Sequence, residues 1–153
     1  MDITYYKKPW RHAVIDNFFS EDLLNHISKL EKPDVTKRVQ RFKDELVSEY
    51  FQNALDQQGK NHYLEFNHMQ PHTEYQIHDE APSKKLSVVV YISPEISDGT
   101  YVYTGSRKLS FVKEIAWKVN RAFIFKGIQG VTWHSFANKQ DLPRLTINYF
   151  ATD

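Results

Sequence analysis

The stretch KLSVVVYIS, residues 85–93, holds an unbroken run of valine, tyrosine and isoleucine between two serines. β-branched and aromatic side chains in a short run favour the extended backbone of a β-strand. The run is far shorter than the ~20 apolar residues that a membrane-spanning helix requires. We therefore predict a strand over about 86–93 and no membrane partner.

The chain beyond Gly59 repeats this pattern in short runs that proline and glycine separate. Seven further strands are predicted, near 62–70, 73–80, 99–104, 109–115, 121–126, 130–137 and 144–151. The predicted bounds carry a margin of ~2–4 residues. About eight short strands at this spacing are typical of a β-sandwich, jelly roll or barrel.

Helical periodicity is found before Gly59. Ser20 precedes a stretch in which leucine and isoleucine recur at helical spacing, with acids in the first turn, and Pro33 ends it. A second amphipathic helix is predicted from about residue 36 to residue 57. The expected fold is therefore mainly β with N-terminal helices, an α+β class, in a single domain over residues 1–153.

The composition excludes several classes of protein. Lys and Arg number 20 against 19 Asp and Glu, so the net charge of +1 provides no field that would recruit nucleic acid or an anionic membrane. The absence of cysteine rules out disulfides and thiolate chemistry. Because the first residues, MDITYYKKPWRH, lack the apolar stretch of a signal peptide, we expect a cytoplasmic protein.

The segment YQIHDEAP, residues 75–82, contains the first candidate metal ligands. Side chains alternate between the faces of a strand, so His78 and Glu80 share a face while Asp79 points the other way. A one-residue bulge would instead bring Asp79 to that face. With His134 on a later predicted strand, the set becomes two histidines and one carboxylate, the facial triad of non-haem Fe(II) oxygenases.

A candidate anion-binding pair follows His134. Arg144 opens the predicted strand RLTINYF, and Arg144 and Thr146 project to the same face of it. A guanidinium beside a hydroxyl can bind a carboxylate through two hydrogen bonds.

This ordered set resembles the Fe(II)/2-oxoglutarate-dependent dioxygenases, specifically their prolyl-4-hydroxylase-like branch. The resemblance extends to HAVIDNFFSEDLLNHI, residues 12–27, and to KLSVVVYIS. It implies a double-stranded β-helix, a form of jelly roll, over about residues 60–153. The family usually has aspartate where this chain has Glu80, and glutamate keeps the charge and the oxygen donor.

The resemblance also implies roles for single residues. His78, Glu80 and His134 would hold Fe(II) and form the catalytic centre, and Arg144 with Thr146 would bind the distal carboxylate of 2-oxoglutarate. It further implies O2 as the oxidant, hydroxylation as the reaction, and a prolyl, peptide or small-molecule substrate.

The resemblance implies one further residue that binds the cosubstrate. Two other interpretations of the protein's function stay open. Tyr91 matches a tyrosine that hydrogen-bonds the same carboxylate in related hydroxylases. A cupin-like metal-binding protein would use the same β architecture without 2-oxoglutarate. A non-enzymatic jelly-roll interaction module would leave the histidines and the acid without a shared role.

Overall fold

The computed structural model describes residues 2–28, 61–80 and 84–152. These residues form two antiparallel sheets, one short α-helix and one turn of 3-10 helix (Lys108–Ser110). The elements are β1 (Asp2–Tyr6), β2 (His12–Asp16), α1 (Glu21–Ser28), β3 (Asn61–Met69), β4 (Thr73–His78), β5 (Lys84–Ser93), β6 (Thr100–Tyr103), β7 (Phe111–Ile115), β8 (Ala122–Phe125), β9 (His134–Asn138) and β10 (Arg144–Thr152).

The strands divide into a larger and a smaller sheet. The larger sheet has the order β1-β2-β8-β5-β10-β3 and the smaller one the order β4-β9-β6-β7. All eight predicted strands are present as β3 to β10, and the two-sheet arrangement is consistent with the expected jelly roll. β2 and most of α1 lie within residues 12–27, the first segment that carries the resemblance, whereas β1 lies where no strand was predicted.

The expectation of several N-terminal helices is not borne out. The described residues contain one α-helix, α1, which begins after Ser20, whose Oγ accepts a hydrogen bond from the Leu23 N–H at 3.3 Å. The second predicted helix, residues 36–57, lies outside the described residues. No helix in the described part of the chain is long and apolar enough to cross a membrane.

β5 supplies side chains to both faces of the larger sheet, which explains its continuous apolar sequence. Leu86, Val88, Val90 and Ile92 belong to a buried cluster with Ile27 of α1. The alternate positions face the smaller sheet: Val89 and Tyr91 pack in a second cluster with side chains of β6, β7 and β8. Strands that are buried on both faces lose the apolar and polar alternation of a half-exposed strand.

The space between the two sheets also contains a cavity of about 570 Å³, which strands of both sheets line. The second apolar cluster contributes Phe123 and Phe125 to this lining. The three candidate metal ligands, Arg144 and Thr146 line the cavity, so the two sheets position the site between them.

Candidate active site

Three candidate metal ligands meet at one point of the cavity. Ligand atoms of His78, Glu80 and His134 all lie within 4.8 Å of one another. The two histidines are partners across the antiparallel ladder, because β4 ends at His78 beside the start of β9 at His134. Their ring centroids lie 4.2 Å apart.

Local hydrogen bonds set the orientation of both imidazoles. Nδ1 of His78 lies 2.9 Å from the carbonyl oxygen of Gln76, and Nδ1 of His134 lies 2.7 Å from that of Thr132. A backbone carbonyl only accepts, so each Nδ1 carries the proton and each Nε2 keeps its lone pair. This orientation directs Nε2 of each ring away from the backbone partner, and the bond at Nδ1 is the outer hydrogen bond typical of metal-binding histidines.

The two adjacent acids have different partners. Glu80 is buried, and its Oε2 accepts a hydrogen bond from Ser87 Oγ at 2.5 Å. Asp79 Oδ2 accepts instead from the backbone N–H of Gly130 at 2.7 Å. Asp79 thus connects β4 to the loop that precedes β9, while Glu80 joins the histidines.

This arrangement does not arise from strand alternation as the sequence suggested. β4 ends at His78, and the register of the β4 and β9 pair shifts between Tyr75 and His78. Glu80 therefore lies beyond the strand, where its hydrogen bond to Ser87 of β5 holds the carboxylate toward the cavity.

Arg144 is a buried cation that lines the same cavity. Its Nε donates to the Asp98 carbonyl at 2.9 Å and its Nη2 to the Gly99 carbonyl at 3.2 Å. Burial lowers its pKa, yet a guanidinium stays charged at any physiological pH. Within the described residues no carboxylate pairs with it, and a buried charge of this kind is stabilised by an anionic ligand.

Aromatic rings surround the Arg144 guanidinium. Its central carbon lies 5.6, 5.1 and 5.3 Å from the ring centroids of Tyr91, Trp117 and Phe136 respectively. Cation–π contacts of this length offset part of the cost of burying the charge. Thr146 follows on the same face of β10 and lines the cavity, with its hydroxyl donating to Asn148 Oδ1 at 2.9 Å.

Tyr91, the other candidate for binding the cosubstrate carboxylate, packs against the Arg144 guanidinium. Its side chain is fully buried, its hydroxyl lies 2.7 Å from Thr100 Oγ1 and donates to the Ile115 carbonyl at 3.3 Å, and it is not among the residues lining the cavity. Burial raises its pKa to about 12, so the hydroxyl stays protonated. Thr100 lines the cavity in front of it.

Comparison with known proteins gives similarity in structure only. No protein-family model and no curated protein matches the sequence. A crystal structure of a Pseudomonas putida prolyl-4-hydroxylase superposes with a TM-score of 0.60 at 12% identity, over 92% of this chain and 87% of that chain. An oxidoreductase of the 2OG-Fe(II) oxygenase family from Burkholderia pseudomallei gives a TM-score of 0.53 at 13% identity, over 99% of this chain and 73% of that one. The fold is shared with these oxygenases.

Sequence reasoning missed three groups that support the site. Ser87 orients Glu80, Thr100 lines the cavity in front of Tyr91, and the carbonyls of Asp98 and Gly99 hold Arg144. Ser87 carried a signal, since it interrupts an apolar strand. Gly99 carried no such signal, because the need for glycine there, where a Cβ would lie 1.8 Å from the Ile115 carbonyl oxygen, arises only in the fold.

Proposed function

We propose that the protein is an Fe(II)- and 2-oxoglutarate-dependent oxygenase that hydroxylates a peptide or small-molecule substrate. The observation that carries the proposal is the presence, in one cavity, of the His78, Glu80 and His134 cluster and the buried guanidinium of Arg144. A metal site alone would fit many proteins. A buried cation with no carboxylate partner in the described part of the chain adds the need for an anion.

The three side chains have the donor set that Fe(II) takes in non-haem oxygenases, two imidazole nitrogens and one carboxylate oxygen. The tautomer of both histidines and the burial of Glu80 fit this role. When bound, iron and 2-oxoglutarate would supply the oxidising chemistry, in which O2 and 2-oxoglutarate are converted to succinate and CO2 while a substrate C–H becomes C–OH.

Side chains of the protein would bind and orient the metal and 2-oxoglutarate. Glu80 would neutralise part of the metal charge, and Ser87 would keep its carboxylate in a single orientation. Arg144 would hold the distal carboxylate of 2-oxoglutarate, with the hydroxyls of Thr100 and Thr146 beside it on the cavity wall. Because the guanidinium is already fixed by two backbone carbonyls, little side-chain entropy is lost when the anion binds.

The cavity walls would exclude water from the reacting groups. Phe123, Phe125 and Phe136 line the cavity, and the Phe125 ring lies edge-on to His134 at 5.0 Å. A dry wall around the ligands strengthens each electrostatic contact inside. The similarity in fold to a prolyl-4-hydroxylase makes a prolyl residue in a peptide the first substrate to test.

The test is an anaerobic titration of the protein with Fe(II) and then with 2-oxoglutarate, following the visible absorption band that the two give when they chelate. We expect the band in the wild type, its loss in His134→Ala, and its retention in the control His72→Ala, since His72 is exposed and pairs with Asp141 at 2.9 Å. Arg144→Lys keeps the charge but loses the fork geometry, so it should keep metal affinity and weaken 2-oxoglutarate binding about tenfold or more.

Two results would contradict the proposal. Metal binding without any effect of 2-oxoglutarate would point to a cupin-like metal-binding protein. Thermal stability indifferent to Fe(II) and Mn(II) would remove the metal centre altogether, because a ligand of the native state must stabilise it.

A further inference from the structure

Glu65 is a charged residue that lines the cavity and has no role in the proposed chemistry. It lies on β3 opposite Asn148 of β10 in the antiparallel register, and Asn67 lies opposite Thr146. Directly opposed residues point to the same face of a sheet, so Glu65 and Asn67 share the cavity face with Asn148 and Thr146. Glu65 is exposed to solvent while lining the cavity, which places it at the mouth.

These polar side chains leave their hydrogen-bonding groups for a ligand. Within the described residues, the Glu65 carboxylate makes no hydrogen bond or ion pair and the Asn67 amide makes no hydrogen bond. Asn148 accepts from Thr146 through Oδ1, and its amide nitrogen has no acceptor in the described part of the chain. The mouth therefore offers one carboxylate and two amides.

The charge balance of the cavity indicates the sign of the charge on a ligand that these groups would bind. Among the described lining residues, the only aspartate, glutamate, histidine, lysine or arginine side chains besides Glu65 are those of the proposed metal ligands and Arg144. In the loaded centre, the charges of Fe(II) and Arg144 would balance those of Glu80 and the dianion 2-oxoglutarate, with both histidines neutral. Glu65 then leaves the cavity with one uncompensated negative charge.

We propose that Glu65 selects a substrate that carries a positively charged group, a protonated amine or a guanidinium, with Asn67 and Asn148 hydrogen-bonding to it at the cavity mouth. The inference rests on the proposed function and names its substrate class. The charged group belongs either to a lysine or arginine residue in a peptide or to a free amine of similar length.

The spacing of the strands sets the scale of this substrate. β3 and β5 are separated by one strand, β10. Ser87 is in register with Phe150 and Tyr63, and Glu65 lies two residues along β3 from Tyr63. Standard strand spacing and rise put the Cα atoms of Glu65 and Ser87 roughly 12 Å apart. Since Ser87 binds Glu80, the charged group and the reacting carbon would lie several bonds apart, which suits a lysine or arginine side chain.

The test measures binding without turnover, in the absence of O2, to protein loaded with Mn(II) and 2-oxoglutarate. The peptide arm uses the N-acetyl, N-methylamide derivatives of lysine and arginine and of their uncharged counterparts norleucine and citrulline. The small-molecule arm uses the same four free amino acids. Calorimetric titration gives the dissociation constant of each probe.

We expect a charged probe to bind about five- to tenfold more tightly than its uncharged counterpart in one of the two arms. Glu65→Gln should remove that preference, and Glu65→Lys should reverse it, so that the uncharged probes bind more tightly. Glu95→Gln is the matched control, because Glu95 is exposed and outside the cavity lining, and it should keep the preference.

The inference is overturned if no charged probe is preferred by the wild type, or if the preference survives in Glu65→Gln. Loading is measured separately by the affinities for Mn(II) and 2-oxoglutarate. A wild type that binds both but shows no preference contradicts the role of Glu65 alone. A wild type that binds neither contradicts the proposed function, and this inference with it.

Discussion

Replacing Ser87 with alanine tests whether a single hydroxyl organises the metal centre. Ser87 and Glu80 are 5% and 7% exposed, and the Ser87 hydroxyl donates to Glu80 Oε2 at 2.5 Å. Ser87→Ala removes this donor without adding bulk or touching the histidines. The carboxylate then loses the hydrogen bond from Ser87 that holds it toward the other ligands.

Two separate effects are expected, one on stability and one on metal affinity. Loss of a hydrogen bond to a buried carboxylate lowers the free energy of unfolding of the metal-free protein by about 1.5–3 kcal/mol. Removing an outer partner of a metal ligand lowers metal affinity by about 10- to 100-fold, equivalent to about 1.4–2.8 kcal/mol. Because the carboxylate itself remains, metal binding is weakened rather than abolished.

The assay is calorimetric titration with Mn(II) under nitrogen, combined with urea unfolding of the metal-free protein. Ser135→Ala is the matched control, since Ser135 is also buried and its hydroxyl lies 2.7 Å from that of Tyr103, a neutral partner, on the strand that begins with His134. It should lose about 1 kcal/mol of stability and keep its metal affinity. Equal Mn(II) affinities in the wild type and both variants would refute the assignment of Glu80 as an oriented ligand.

Three other predictions follow from the structure. Glu80→Gln should lose metal binding, whereas Asp79→Asn should keep it and lose about 1 kcal/mol of stability, because its hydrogen bond to the backbone N–H of Gly130 becomes weaker. Calorimetric titration measures the metal affinity and urea titration measures the stability. The opposite pattern would make Asp79 the ligand. Burial lowers the pKa of His12 below its ordinary 6.5, so the unfolded chain binds the proton more tightly and stability falls as pH drops below about 6.5. Urea unfolding at pH 5 to 8 should therefore show that the free energy of unfolding depends less steeply on pH in His12→Phe than in the wild type. An unchanged dependence on pH would contradict this role of His12. Gly99→Ala would place a Cβ 1.8 Å from the Ile115 carbonyl oxygen. It should lower the free energy of unfolding in urea by about 2–4 kcal/mol and weaken 2-oxoglutarate binding. A variant as stable as the wild type would show that this backbone can shift.

Much of the β architecture could be predicted because strand signals are local. The run in β5 and the eight predicted strands depend on side chains that fit an extended backbone, whatever surrounds them. β1 was not predicted because its sequence, DITYY, is short and the side chains of residues 3–6 are exposed rather than part of an apolar run. The order of the candidate ligands along the chain was also readable, since it needs residue identity alone.

The choice between the two neighbouring acids, Asp79 and Glu80, depends on contacts that local sequence patterns do not predict. Alternation favoured Glu80, and Glu80 does join the histidines, yet β4 ends before it and the register shifts within the strand. What separates the acids is their partners, Ser87 for Glu80 and Gly130 for Asp79. Gly130 lies far along the chain, and no pattern within residues 75–82 indicates it.

The sequence by itself determined the strand-rich composition of the chain, the identity of the donor residues and the presence of an arginine at the start of β10. The tertiary structure decided that Arg144 is buried against the carbonyls of Asp98 and Gly99, that Thr100 rather than Tyr91 lines the cavity, and that Glu65 faces its mouth. The physical reason is that backbone preference acts between neighbours in the chain, whereas these contacts depend on strand register and on how the two sheets pack. Those are properties of residues tens of positions apart, and they exist only once the sheets have formed.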